Sequence, residues 1–274
     1  MLADGHNHTL EFSPDAKMTI DELISAATAK KLTAVGITEH YELENPDPED
    51  NIQTYDLDLY DRTFEEWRAK CPKELKLLKG IEFGYQTKTG PEIDRIAAEH
   101  DFDTVILSNH LFRGVDVYFS EEAHLVPKNE RHAEYIGIMA EMCERLDNYT
   151  VAGHYDYISR DQRSSAEDSF VLYEDCPKEF DRLFEALISK EKSLEINTRS
   201  ILKIGEKGSK RIFPDDKILK RYKDMGGKLI SLGSDSHTPD TLGLLFPETI
   251  EYLKSLGFSE ACYFVKKRPV IEPF

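Results

Sequence analysis

Short apolar runs alternate along the chain with longer stretches whose apolar residues recur every three or four positions. The runs fall at 1–5 (MLADG), 33–38 (TAVGIT), 76–83 (KLLKGIEF), 103–108 (DTVILS), 149–153 (YTVAG), 193–197 (SLEIN) and 228–233 (KLISLG). Brief, largely apolar and bounded by polar residues, they read as strands covered on both faces. Between them, Ile20, Leu23, Ile24 and Ala27 keep helical spacing behind Thr19 and Glu22, which predict a capping box. Tyr135, Met139, Met142 and Leu146 form a similar stripe on a helix near 129–147, with core packing as its role. Pro214 is placed to open a helix that Gly226 and Gly227 close. Further helices are expected near 58–71, 91–100, 176–190 and 246–257.

Seven strand–helix alternations imply a parallel sheet, because parallel neighbours need helical crossovers. The fold class is therefore α/β. No repeat or Pro/Gly-rich linker divides the chain, so a single domain over 1–274 is expected, close to the usual length of an α/β barrel. An open doubly wound sheet would also satisfy the alternation; the placement of the histidines favours a closed or distorted barrel.

Composition narrows the class. With 40% hydrophobic residues, 14 Phe and 13 Tyr, the chain has enough apolar material for a core, which argues against disorder. The 52 acidic and 35 basic side chains leave a net charge of −17, which repels a phosphate backbone and argues against nucleic-acid partners. No apolar run reaches membrane-spanning length. The start, Met1-Leu2-Ala3-Asp4-Gly5-His6, has neither the basic nor the long apolar region of a signal peptide, so a cytoplasmic protein is expected. Cys71, Cys143, Cys176 and Cys262 form no CxxC pair and are expected to be reduced structural thiols.

The chemistry lies where the strands end. They lead into His6-Asn7-His8, Thr38-Glu39-His40, Ser108-Asn109-His110, Gly153-His154-Tyr155-Asp156 and Ser234-Asp235-Ser236-His237, while Glu82 and Glu195 lie inside their strands. Six of the nine histidines sit at these ends. In an α/β barrel the strand C-termini converge on one mouth. Residues two apart on a strand face the same way, so His6 pairs with His8 and Asp235 with His237. The constellation is six imidazoles with Glu82 and Asp235, and Asp15 close by. That is more than one ion's ligand set; it fits two or three divalent ions, and mixed imidazole and carboxylate donors suit zinc, manganese or iron. His100, His124 and His132 are read as surface or structural residues, with His124 and His132 near enough to overhang the mouth.

These motifs, in this order, resemble the polymerase and histidinol phosphatase (PHP) superfamily, and the stretch Glu195-Ile196-Asn197-Thr198 is most similar to its histidinol-phosphatase branch. The resemblance implies a distorted (β/α)7 TIM-like barrel and a trinuclear metal site. It places His6, His8, Glu82 and Asp235 on one ion, Glu82, His110 and His154 on a second, and Asp15, His40 and His237 on a third. Many members carry a histidine where this chain has Asp15, and the family's usual SVH reads Ser108-Asn109-His110 here.

The reaction implied is hydrolysis of a small phosphorylated metabolite, L-histidinol phosphate, in histidine biosynthesis, by a hydroxide bridging the ions. Glu82, Asp235 and His237 are the expected catalytic set. Arg113, Arg160 and Arg199 follow ligand-bearing strands and are expected to bind the phosphate, because a guanidinium fork matches its oxygens. Lys203, Lys207, Lys210 and Arg211 read as one solvated basic loop able to steer anions. The acidic loop 41–58, with Glu42, Glu44, Asp47, Glu49, Asp50 and Asp56, reads as a solvated face or as a rim for a substrate amine. A nucleotide phosphatase or nuclease of the same superfamily, and a non-catalytic metal-stabilised interaction module, are the alternatives; neither a membrane role nor an oligomeric state is indicated.

Overall fold

In the computed structural model, which describes residues 3–46 and 52–274, all seven apolar runs contribute strands to one sheet. Strands β1 (Ala3–Asp4), β2 (Ala34–Glu42), β3 (Lys76–Gly84) and β4 (Thr104–Ser108) come first. A separate ribbon of β5 (Leu111–Phe112) and β6 (Val115–Asp116) follows, and then β7 (Val151–Ala152), β8 (Ser193–Asn197) and β9 (Ile230–Gly233). Every pairing along β1-β2-β3-β4-β7-β8-β9 is parallel.

Helices carry the crossovers: α1 (Ile20–Ala29), α2 (Leu57–Lys70), α3 (Gly90–Glu99), α4 (Lys128–Arg145), the single-turn α5 (Ala166–Ser169), α6 (Pro177–Ser189), α7 (Thr198–Glu206) and α8 (Asp216–Asp224). A further helix, α9 (Phe246–Ser255), follows β9. Helix α1 begins on the expected capping box, with Thr19 and Glu22 bonded reciprocally. The stripe Tyr135, Met139, Met142 and Leu146 is buried in the core. Among the described residues no helix is long and apolar enough to cross a membrane. All four cysteines are free, three of them buried.

The sheet closes through the segments just past β1 and β9. Gly5 N donates to Leu232 O, Asp235 N to His6 O and His8 N to Ser236 O, each at 2.9 Å, and Asn7 bridges Ser236 in parallel. The result is a distorted (β/α)7 barrel. The same hydrogen bonds that close it bring the His6/His8 pair beside the Asp235/His237 pair.

The distortion lies at the opposite end. There β10 (Glu260–Val265) pairs with β9 through Cys262 and Ser231 and returns antiparallel as β11 (Arg268–Pro273). Cys262 and Phe264 pack on Ile106 and Val151, and Tyr263 on Ala34 and Leu78. Lys266 N then donates to Asp103 Oδ1 at 2.8 Å, just before β4. The hairpin thus crosses the end at which the strands begin and seals it with side chains.

Four features depart from the sequence expectation. The β5–β6 ribbon is additional. So is the hairpin β10–β11; β11 carries Pro269 and Pro273, which only an edge strand tolerates. Strand β2 runs past residue 38 to Glu42, because it pairs with β3 along its whole length. Helix α7 occupies the start of the expected basic loop, since Asn197 caps it by accepting from Arg199 N and Ser200 N.

Candidate active site

Glu82, fully enclosed on β3, is the hub of the strand-end constellation. Its Oε1 lies 2.8 Å from His154 Nε2 and 3.2 Å from His110 Nε2, and accepts from Ser108 Oγ at 2.6 Å. Its Oε2 lies 2.8 Å from His40 Nδ1, 3.3 Å from His6 Nε2 and 3.5 Å from His8 Nε2. Five imidazoles from four segments therefore face one carboxylate. Asp235 adds a second: Oδ1 is 3.4 Å from His8 Nε2 and 3.6 Å from His237 Nδ1. Asp235 adopts φ of 50°, a left-handed conformation in which aspartate is among the more tolerated residues. Asp15 completes the group, with Oδ2 2.7 Å from His237 Nε2 and 3.7 Å from His40 Nε2. All nine residues expected as ligands meet at one mouth.

The donor atoms fit divalent cations. His6 Nε2 and His8 Nε2 are buried without a hydrogen-bond partner, and His40 Nδ1 meets only Glu82 Oε2. Left so, the first two forfeit their hydration without replacement. Ligand atoms of His6, His8 and Asp235, of His6, Glu82 and His154, and of His8, His40 and His237 each lie within 4.8 Å of one another. Burial raises the Glu82 carboxyl, but His6, His110 and His40 more than offset this and hold it well below its ordinary range. Burial likewise raises Asp235, while Arg160 and His6 pull it well below. Both are carboxylates, the form that ligates.

A further layer orients the imidazoles. Glu195 Oε1 is 2.7 Å from His6 Nδ1, and its Oε2 accepts from His154 N at 2.6 Å. Glu42 Oε1 is 2.7 Å from His110 Nδ1. Glu39 accepts from Ser13 Oγ at 2.5 Å and from Thr9, fixing the turn that carries Asp15; burial pushes its carboxyl up to about 7. A carboxylate on the far nitrogen fixes a ligating histidine's tautomer and raises its basicity. Sequence reasoning quoted Glu42 and Glu195 without giving them this role. The period-two rule that paired His6 with His8 also joins Glu42 to His40 and Asn197 to Glu195.

The mouth opens into a cavity of about 250 Å³ lined by Asp15, His40, His110, His154, Asp235 and His237 on one side. Arg160 and Arg199 are also on its wall. Arg160, only 3% exposed, donates to Asp235 Oδ2 at 2.7 Å, Asn197 Oδ1 at 2.9 Å and Ser200 Oγ at 3.2 Å. Arg199 donates to Asp235 O at 2.9 Å and approaches His237 Nδ1 at 2.6 Å.

Arg113 does not belong with them. It lies outside the cavity at the turn of the β5–β6 ribbon, and its guanidinium is held at the surface by Glu134 at 2.6 Å and Glu130 at 3.5 Å. A ribbon inserted after His110 carries it away from the mouth. His132 is enclosed on α4 against Asp175, His100 lies beside Asp61, and neither they nor His124 line the cavity. Of the basic group, Lys203 pairs with Glu206 in a neighbouring cavity that shares Asp15, Arg199, Asp235 and His237, Lys207 caps Asp161 O and Ser169 Oγ, and Arg211 pairs with Asp215. In the acidic loop, Glu42 turns inward, Glu44 pairs with Lys88 and Asp56 caps α2, while Asp47, Glu49 and Asp50 lie outside the described residues.

A family model described as the PHP domain matches residues 4–199. The chain is 32% identical over 269 residues to a probable histidinol-phosphatase of Clostridium acetobutylicum, covering 98% of each. It is 29% identical to the histidinol-phosphatase of Lactococcus lactis, over 95% of this chain and 93% of that one. Among solved structures, the histidinol phosphate phosphatase of Lactococcus lactis complexed with zinc, L-histidinol and phosphate superposes with a TM-score of 0.84, at 27% identity, over 98% of both chains.

Proposed function

Because the chain belongs to the PHP domain family, we propose that it is a metal-dependent phosphomonoesterase that hydrolyses L-histidinol phosphate to L-histidinol and inorganic phosphate. Full-length similarity to histidinol-phosphatases supports the substrate. The observation that carries the reading is the cluster of buried imidazole and carboxylate donors around Glu82, at a cavity that also presents two arginines. The whole chain, 1–274, acts as one metallophosphatase domain, in the cytoplasm.

His6, His8, Glu82 and Asp235 would hold one cation, Glu82 with His110 and His154 a second, and Asp15, His40 and His237 a third. The donor set suits two or three ions of zinc, manganese or iron better than calcium or magnesium. When bound, they supply charge neutralisation of the phosphoryl oxygens and a water acidified enough to ionise near neutral pH.

The protein's own groups do the positioning. Glu82 is sealed behind the imidazoles, where it would bridge two ions and not carry protons. Arg160 clamps Asp235 while presenting a fixed positive charge to the cavity; Arg199 does the same beside His237. Together they orient the phosphoryl group, an electrostatic contribution that needs no reorganisation during reaction. Asp235 and His237 line the cavity, and the leaving alkoxide takes up the proton given off by the attacking water, passed on by His237, by Asp235 or by a bound water. The local positive charge of ions and arginines also explains how a chain of net charge −17 attracts a phosphate.

The test is a phosphate-release assay of metal-loaded protein against L-histidinol phosphate and a phosphomonoester panel including nucleotides. Preferred turnover of L-histidinol phosphate is expected. Turnover of the others with none of L-histidinol phosphate contradicts the substrate while sparing the reaction class.

A further inference from the structure

A cavity at the end of the barrel opposite the mouth breaks with the charge of the chain. It holds about 580 Å³, against about 250 Å³ at the mouth, between the last turn of α6, the end of α8, the approach to β9 and the turn of the β10–β11 hairpin. The whole chain carries 35 basic and 52 acidic side chains, but this wall carries Lys190, Lys192, Lys228, Lys267 and Arg268 against Glu191 alone. Leu187, Ile188, Leu229 and Pro269 supply apolar surface.

The cations fall into two sets. Three are seated on carbonyl oxygens: Lys190 on Glu144 O at 2.8 Å and Leu146 O at 2.7 Å, Lys192 on Asp147 O at 2.9 Å, and Lys267 on Ala97 O and on His100 O at 3.1 Å. Carbonyls fix an ammonium in place without cancelling its charge; of the three, Lys190 also meets a carboxylate, Asp147 at 2.7 Å. Burial lowers the Lys192 ammonium below its ordinary pKa; Asp147 and Asp94 offset part of this, and Lys190 and Lys267 add to it. The other two cations, Lys228 and Arg268, are exposed and have neither an ion pair nor a side-chain hydrogen bond among the described residues. The turn that delivers Lys267 and Arg268 is firmly held. Lys266 and Lys267 take left-handed φ of 50° and 60° in a two-residue turn where asparagine and glycine are the favoured residues. Lys266 N donates to Asp103 Oδ1 at 2.8 Å and Lys267 N to Asp103 O at 3.0 Å. Cations thus stand where the backbone alone does not ask for them.

We infer that this cavity is a binding site for a small organic anion with two or more negative charges and an apolar body, separate from the phosphatase site. A concave wall of one sign focuses its field on the space it encloses. Lys228 and Arg268 are free to grip anionic oxygens, Arg268 through a planar fork. Lys192 and Lys267 add charge that is already fixed in position. The apolar residues offer the body of the ligand a surface that a bare inorganic ion leaves unused. Phosphate, carboxylate and sulfonate groups share this chemistry.

The experiment titrates the metal-loaded full chain into pyrenetetrasulfonate, a fluorescent polyanion whose sulfonates are poor metal ligands, and follows its anisotropy. One saturable site per chain is expected. Lys228→Glu combined with Arg268→Glu is expected to weaken binding by at least about tenfold while phosphate release at the mouth stays within about twofold. Lys73→Glu combined with Lys178→Glu changes the net charge equally at exposed positions outside the cavity. That pair is expected to leave binding within about twofold. Fructose bisphosphate and propane tricarboxylate, added as competitors, separate phosphate from carboxylate ligands, and displacement by either supports the site. Absence of saturable binding, displacement by neither competitor, or a Lys228/Arg268 double variant that binds no more weakly than the Lys73/Lys178 one overturns it.

Discussion

A carboxylate enclosed by five imidazoles needs positive charge nearby to stay ionised. Either the rings take up protons or metal ions replace those protons. Around Glu82 the second route also satisfies His6 Nε2 and His8 Nε2, which have no hydrogen-bond partner. The orienting carboxylates then act through the histidines they hold. Glu195→Gln removes the charge behind His6 Nδ1 and is expected to cost about 10- to 100-fold in metal affinity or activity, read by chelator competition and phosphate release. The two kinds of arginine separate cleanly. Arg160→Ala leaves Asp235 Oδ2 without its buried partner and is expected to lower kcat/KM by at least about 10-fold, whereas Arg113→Ala removes only surface pairs and is expected to stay within about twofold. At this scale the meeting of the nine residues was legible because metal-binding residue types recur at strand ends. Arg113 was not, because distance along the chain says nothing about a ribbon that turns outward.

Elements supply the framework for those residues. The barrel's far end is closed by β10, and Phe264→Ala should open a cavity between Ile106 and Val151 costing about 3–5 kcal/mol, measurable by chemical denaturation. The seven parallel strands, β1–β4 and β7–β9, were legible from apolar runs flanked by turn residues. β10 carries such a run too, ACYFV, but fell outside the strand–helix alternation because an antiparallel strand and not a helix follows it; β11, RPVIEP, has no long apolar run. On α4, His132 donates to Asp175 from a site where burial depresses its pKa below the ordinary 6.5. Its folded-state pKa is lowered, so the stability it contributes is complete above about pH 6.5 and is lost as pH falls further. The melting temperature should therefore decline from pH 7 to pH 5, and His132→Gln should flatten that decline. An unchanged slope in the variant would contradict this assignment.

For the whole molecule, closing the barrel and assembling the site are one event. The hydrogen bonds between His6, His8, Asp235 and Ser236 join the first and seventh strands and bring two ligand pairs together. Cations held by those pairs would bridge the seam, and ions that bind only the folded barrel add to its stability. Everything proposed for the chemistry depends on those ions being present and required. The most direct test is elemental analysis of the purified chain, coupled to phosphate release from L-histidinol phosphate before and after chelation. The account predicts two or three transition-metal ions per chain, activity that falls with their removal and returns with zinc or manganese, and a lower melting temperature in between. Full turnover by a chain carrying less than one ion would contradict it.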